Sequence, residues 1–91
     1  MQITKSKDLS DGHLIEIGKA TWDDKQTSVR NRYPTKTGGF SPRSSSEIPL
    51  GDIPEIVTVV AEEDLLSLQE LAKSISLLSA SMLRQLQKEI Q

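Results

Sequence analysis

The first half of the chain alternates apolar and polar residues in the manner of β-strands. Residues 22–25 include two aspartates, which favour a turn, and they precede a β-prone segment at 27–29, so a hairpin is predicted here. Tyr33-Pro34 ends its second strand, because proline lacks the N–H that a sheet requires. In the first strand of the hairpin, the apolar residues follow a two-residue period in part. They are Leu14, Ile15, Ile17, Ala20 and Trp22.

One further strand is predicted on each side of this hairpin. Gly38-Gly39 permits a turn at positive φ, and a strand then covers residues 45–50. The serine run 44–46 has a second interpretation, as a low-complexity loop that becomes ordered on a ligand. Residues 2–4 are predicted as an edge strand.

The second half of the chain has helical periodicity. Asp52, three residues before Glu55, resembles a capping box, and Pro54 is tolerated in a first turn, so a helix is predicted to begin near residue 52. The β-branched run 56–60 is expected to interrupt or kink it. From Leu65 onward, apolar residues recur at intervals of three and four for about seven turns. They are Leu68, Leu71, Ile75, Leu78, Met82, Leu86 and Ile90.

These elements predict an α+β fold, with a four-stranded antiparallel sheet followed by a long C-terminal helix, in which the kink described above is expected. One domain is expected, with residues 1–50 forming the sheet and residues 51–91 a helical dimerisation part. The helix from residue 68 to 90 would be about 35 Å long, which is more than a small sheet can cover. We therefore expect a homodimer with antiparallel helices. The predicted dimer contacts are Leu71, Ile75, Leu78, Met82 and Leu86.

Composition and charge narrow the classes of function. The 91 residues include no cysteine and only 35% apolar residues, so disulfides and thiolate zinc sites are excluded and the core is thin. An intracellular protein is expected, cytoplasmic or nucleoid-associated, with no membrane span. Residues 1–46 carry eight cations and five acids, a net of +3, whereas residues 47–91 carry three and eight, a net of −5. Such asymmetry favours a nucleic-acid surface on the first half.

Cations and aromatic residues alternate through the predicted hairpins. Unpaired bases stack on aromatic rings at about 1 to 3 kcal/mol each, while Arg and Lys contact the phosphates, so this pattern predicts single-stranded DNA binding. Single-stranded RNA is a near alternative, because neither contact detects the 2′-hydroxyl. The candidate binding residues are Trp22, Lys25, Arg30, Arg32, Tyr33, Lys36, Phe40 and Arg43.

Other interpretations of the same residues stay open. The three aromatic residues could form a core, and Arg30 and Arg32, which share a strand face, could pair with Glu16, Glu47 or Asp24. The helix could bind another protein while the sheet serves as a scaffold. His13 is isolated, so no metal site or cofactor is expected. No nucleophile with a base, carboxylate pair or phosphate-binding glycine loop is evident, so no enzymatic activity is predicted.

The order of these residues resembles the positive cofactor four family of single-stranded DNA-binding transcriptional coactivators, over residues 12–60. The resemblance implies a curved four-stranded antiparallel sheet before one helix, and a dimer with paired basic grooves. The matching positions are Trp22 and Lys25 at the first hairpin tip, Arg30 and Tyr33 on a strand, Gly38, Pro42, and the apolar pair Ile48 and Leu50.

The chain departs from this family at several places. Arg43 and three serines replace its second lysine-rich run, Asp23-Asp24 places acids where the family prefers Lys and Gly, and the helix beyond residue 65 has no counterpart of this length. A compact chain is more similar to the bacterial and bacteriophage members, which serve replication, recombination and repair. The protein is therefore expected to act in one of these processes or in transcription, with replication or recombination proteins as candidate partners.

Overall fold

The computed structural model describes residues 1–34 and 46–90. Within them, a four-stranded antiparallel sheet precedes two helices, and each strand pairs with the next along the chain. The predicted α+β class and strand arrangement are confirmed. The chain divides into two compact units, Met1–Glu55 and Ile56–Gln91. The elements are β1 (Gln2–Ser10), β2 (His13–Lys19), β3 (Thr27–Arg32), β4 (Ser46–Pro49), α1 (Asp52–Glu62) and α2 (Leu68–Ile90).

Strand β1 is the element that the apolar pattern most underestimated. It extends to Ser10 rather than ending at residue 4, and all of its residues are exposed. An edge strand exposed on both faces needs no apolar alternation, so the pattern carried little signal. The turn into β2 is Asp11-Gly12, with φ of 50° and 82°. Asp-Gly at positive φ is the preferred two-residue hairpin turn, and it would have located this hairpin from sequence.

The N-terminal end of β1 lies directly against Gly18 of β2. A Cβ atom added at Gly18 would lie 2.0 Å from the carbonyl oxygen of Gln2, beside the shift in β1–β2 pairing between Ile3 and Lys5. Such a bulge bends a strand and increases its twist. Only glycine therefore allows β1 and β2 to approach this closely.

Gly18→Ala is expected to destabilise the protein by about 1 to 3 kcal/mol, because the Gln2 backbone has to move to admit the methyl group. Urea denaturation measures the effect. Gly51→Ala is the matched control, since an added Cβ there meets nothing within 4 Å. An equal loss of stability in both variants would contradict the close approach of β1 to Gly18.

The helices form as two separate elements. Helix α1 begins at Asp52, as predicted, and continues unbroken through the β-branched run 56–60, so the interruption expected there is wrong. The break follows Glu62, where Asp64 has a φ of 54° and the N–H of Leu65 bonds to the carbonyl of Val60 at 3.1 Å. A residue at positive φ followed by such a bond is a common helix ending.

Helix α2 begins with a capping box that the sequence analysis did not identify. The N–H of Ser67 donates to the Glu70 carboxylate at 2.9 Å, and the N–H of Glu70 donates to the Ser67 hydroxyl at 3.1 Å. These bonds to the backbone and hydroxyl of Ser67 hold the pKa of Glu70 below its ordinary value. The Ser-x-x-Glu spacing before an apolar period is the signal that marks this start.

The apolar side chains of the helical unit are largely in solvent. Neither α1 nor α2, both described in full, contains a buried residue. Along α2 the exposed fraction is 85% at Leu68, 64% at Ile75 and 65% at Met82. No helix among the described residues has the length and apolar character needed to cross a membrane. The helical unit of a single chain therefore leaves its apolar surface uncovered.

Candidate nucleic-acid interface

Trp22 lies on the loop that joins β2 to β3. The loop is closed by the Ala20 N–H to Gln26 carbonyl bond at 2.9 Å, and the indole N–H donates to the side chain of Gln26 at 3.0 Å. Trp22 is 48% exposed, so it is not a core residue. Lys25 is exposed on the same loop.

One acid of this loop, Asp23, has a structural role. The carboxylate of Asp23 accepts the N–H of Lys25 at 2.9 Å, and its carbonyl accepts the N–H of Gln26 at 3.1 Å. Asp and Asn commonly form such turns by bonding the backbone two residues on. Asp23 therefore shapes the loop that presents Trp22 and Lys25.

Tyr33 forms a small cluster at the opposite end of β3. Its ring stacks on that of His13, with the centroids 4.3 Å apart and the planes at 10°. The amide of Asn31 donates to the Tyr33 hydroxyl at 3.1 Å, and its oxygen contacts Nε2 of His13. Tyr33 is nevertheless 43% exposed. The cluster orients one ring and leaves part of it accessible.

Arg30 and Arg32 both contact Glu16. Nε and one terminal nitrogen of Arg30 each lie 2.8 Å from Glu16 Oε1, and a nitrogen of Arg32 lies 3.5 Å from Oε2. Glu16 is only 2% exposed. The predicted sharing of one face by the two arginines is confirmed, as is the alternative of pairing with Glu16. Removing Arg30 would leave a buried carboxylate poorly compensated, so a mutation there is expected to lower stability.

Glu47 of β4 forms a second network beside this pair. Its carboxylate accepts the N–H and hydroxyl of Thr21, each at 2.7 Å, and the hydroxyl of the fully buried Ser28 at 2.8 Å. Desolvation alone would raise the pKa of Glu47, but the bonds from Thr21 and Ser28 together lower it below the ordinary value. Its stabilising contribution is present above the ordinary pKa and is lost as the pH falls through the lowered one.

The registers of the sheet assign the charged residues to two faces. Glu16 pairs with Arg30 and Arg30 with Glu47, whereas Lys5 pairs with Ile17 and Lys7 with Ile15. Because side chains alternate along a strand, Arg30 and Arg32 lie on one face, and Asn31 and the ring stack of Tyr33 lie on the other. The structure therefore does not bring the predicted cations Arg30 and Arg32 together with Tyr33 on one face.

The remaining predicted residues divide into two groups. Lys36, Phe40 and Arg43, like Gly38 and Pro42, lie outside the described residues. Of the predicted dimer contacts, Leu71 is half-buried and the other four are exposed. An open apolar groove of about 490 Å³ lies between α1 and α2. Its lining includes Val57, Ala61, Leu66, Leu71, Ile75 and Leu78.

The described residues contain no group of three or more His, Asp or Glu side chains arranged to hold a metal ion. Comparison with family models, with curated proteins and with solved structures gives no match to this chain. Inferences about function therefore rest on the chemistry and geometry of the chain and on the order of its residues.

Proposed function

We propose that this protein is a homodimeric, largely sequence-independent single-stranded DNA-binding protein that acts in replication, recombination and repair, or transcription. The observation that carries the proposal is the exposure of Trp22 and Tyr33 at opposite ends of β3. The seven residues from Thr27 to Tyr33 span about 20 Å, so a DNA strand that stacks on both rings follows the length of the sheet. The resemblance to the positive cofactor four family supports the same function.

The half-exposure of the two rings favours binding over a structural role. An aromatic residue that only fills a core has little ring area in solvent, whereas base stacking requires an open face. Fixed rings also lose little conformational entropy on binding. The indole bond to Gln26 and the stack of Tyr33 on His13 limit ring motion in this way.

The exposed stripe of α2 supports the dimer. A second copy in the antiparallel orientation would place apolar residues against apolar residues along the helix. The antiparallel orientation also sets the N-terminal end of one helix dipole beside the C-terminal end of the other, which favours it over the parallel one.

A protein-interaction module is the second candidate function. The large exposed apolar surface of α2 also fits a different protein that supplies a matching helix, with the sheet as a scaffold. In that case α2 contacts the partner and the protein alone is a monomer. Light scattering distinguishes this case from the homodimer.

The proposal predicts a strong salt dependence of binding to a single-stranded oligonucleotide. For about five phosphates neutralised, the logarithm of the affinity should fall with the logarithm of salt concentration with a slope near −3.5. Fluorescence anisotropy of a labelled oligonucleotide at several salt concentrations gives this slope. A flat response would contradict a phosphate-binding surface.

A further inference from the structure

Three lysines that the sequence analysis left unassigned form a row on the face of the sheet that carries Tyr33. Lys19 lies on β2 at the end next to the Trp22 loop. Lys5 and Lys7, on β1, are opposite Ile17 and Ile15, the next positions along β2 on the same face. Successive lysines are therefore about 6.6 Å apart along the strand direction, which is two residues at the usual rise. We call this side of the sheet the lysine face.

The strands place no carboxylate on the lysine face. Asp8 pairs with Leu14, and Glu16 and Glu47 flank Arg30, so all three strand acids belong to the opposite face. Among the described strand residues, that face holds three acids and two arginines, whereas the lysine face holds three lysines and no acid. The positive potential of the sheet is therefore concentrated away from the arginines.

The lysines are also accessible. Lys5, Lys7 and Lys19 are all exposed, and no ion pair among the described residues includes any of them. An exposed lysine that forms no ion pair is available to contact an anion. Arg30 and Arg32 instead have Glu16 as a neighbour.

We propose that the phosphates of the bound strand run over the lysine face and contact Lys19, Lys5 and Lys7 in that order. This inference rests on the proposed function and specifies its binding path. Trp22 lies beyond the Lys19 end of the row, and the stacked rings of His13 and Tyr33 lie beyond the Lys7 end. A single strand that follows the row meets a stacking ring at each end and three cations between them. Arg30 and Arg32 stabilise Glu16 on the other face.

A structural role explains only part of the row. Lysines on an edge strand prevent unwanted pairing with other chains, which would account for Lys5 and Lys7 on β1. Lys19 lies on β2, which is paired on both sides. The position of Lys19 in line with the other two therefore favours a shared ligand.

The test is the triple variant Lys5→Gln, Lys7→Gln and Lys19→Gln. Three fewer phosphate contacts should make the slope of log affinity against log salt shallower by about 2, as measured with the same single-stranded oligonucleotide. The control variant Lys73→Gln, Arg84→Gln and Gln87→Glu changes the net charge by the same amount on α2, and it should keep the original slope. The single variant Lys19→Gln should make the slope shallower by about 0.7, and it tests the effect with the least perturbation of the fold.

A triple variant that keeps the slope of the unaltered protein would overturn the lysine path. The proposed function would then stand, provided that the unaltered protein still prefers single-stranded DNA. Loss of binding to phosphatidylserine vesicles with an unchanged oligonucleotide slope would also overturn it, and would assign the lysines to a membrane surface. If the slope becomes shallower by the same amount in the triple variant and in the α2 control, the effect comes from net charge alone, and this result would also overturn the lysine path.

Discussion

Replacement of Leu78 and Met82 together by glutamate is expected to convert the proposed dimer into a monomer, or to unfold the chain. The two side chains lie at the middle of the α2 stripe and are 57% and 65% exposed in a single chain. Four new charges at the centre of the helix pair would face one another in an apolar surrounding, which is strongly unfavourable. Light scattering at micromolar concentration measures the mass of the particle.

The same variant should lose the preference for long oligonucleotides. Two linked sheets hold a long strand more tightly than one, because the second contact forms at a high effective concentration. The matched control is Ala80→Glu with Gln87→Glu, which adds the same charge to α2 away from the apolar stripe. A folded monomer for the unaltered protein would remove the homodimer and favour the interaction-module alternative.

Trp22→Ala and Tyr33→Ala are each expected to weaken single-strand binding by about 1 to 3 kcal/mol, which is the usual loss for a base-stacking ring. The salt dependence should change little, because neither ring contacts a phosphate through a charge. Anisotropy titrations at several salt concentrations separate these two effects. The lysine variants should show the opposite pattern, with a reduced slope.

The aromatic variants need a control for folding. Trp22→Phe and Tyr33→Phe keep an aromatic face while removing the hydrogen bonds to Gln26 and Asn31. They should bind much more tightly than the alanine variants. If the alanine variants instead lose their urea unfolding transition, the rings have a structural role and the stacking assignment fails.

The periodicity of apolar residues was sufficient to predict the elements that carry their apolar residues on one face. The hairpin of β2 and β3 and the stripe of α2 followed from apolar spacing, because each element repeats one kind of residue on one side. Strand β1 was mostly missed, since its polar residues are exposed on both faces. Two local sequence signals mark the boundaries that were not predicted. The Asp11-Gly12 turn marks the end of β1, and the Ser67-x-x-Glu70 capping box marks the start of α2.

The candidate site was harder to predict than the fold. Alternation along one strand placed Arg30 and Arg32 correctly on one face, but it left three acids open as their partner, and only the register of the neighbouring strand selects Glu16. Strand register also decides which cations accompany Tyr33. Because Lys5 and Lys7 belong to the strand that the pattern missed, the lysine face could not be recognised before the register of β1 on β2 was known.

Competition between single-stranded and duplex DNA tests the central claim most directly. A labelled single-stranded oligonucleotide bound to the protein is challenged with the same unlabelled sequence, either single-stranded or annealed to its complement. The exposed Trp22 and Tyr33 rings can stack only on unpaired bases, so the single strand should displace the label at a much lower concentration than the duplex. Equal displacement by the duplex would contradict single-stranded DNA binding as the function of this sheet.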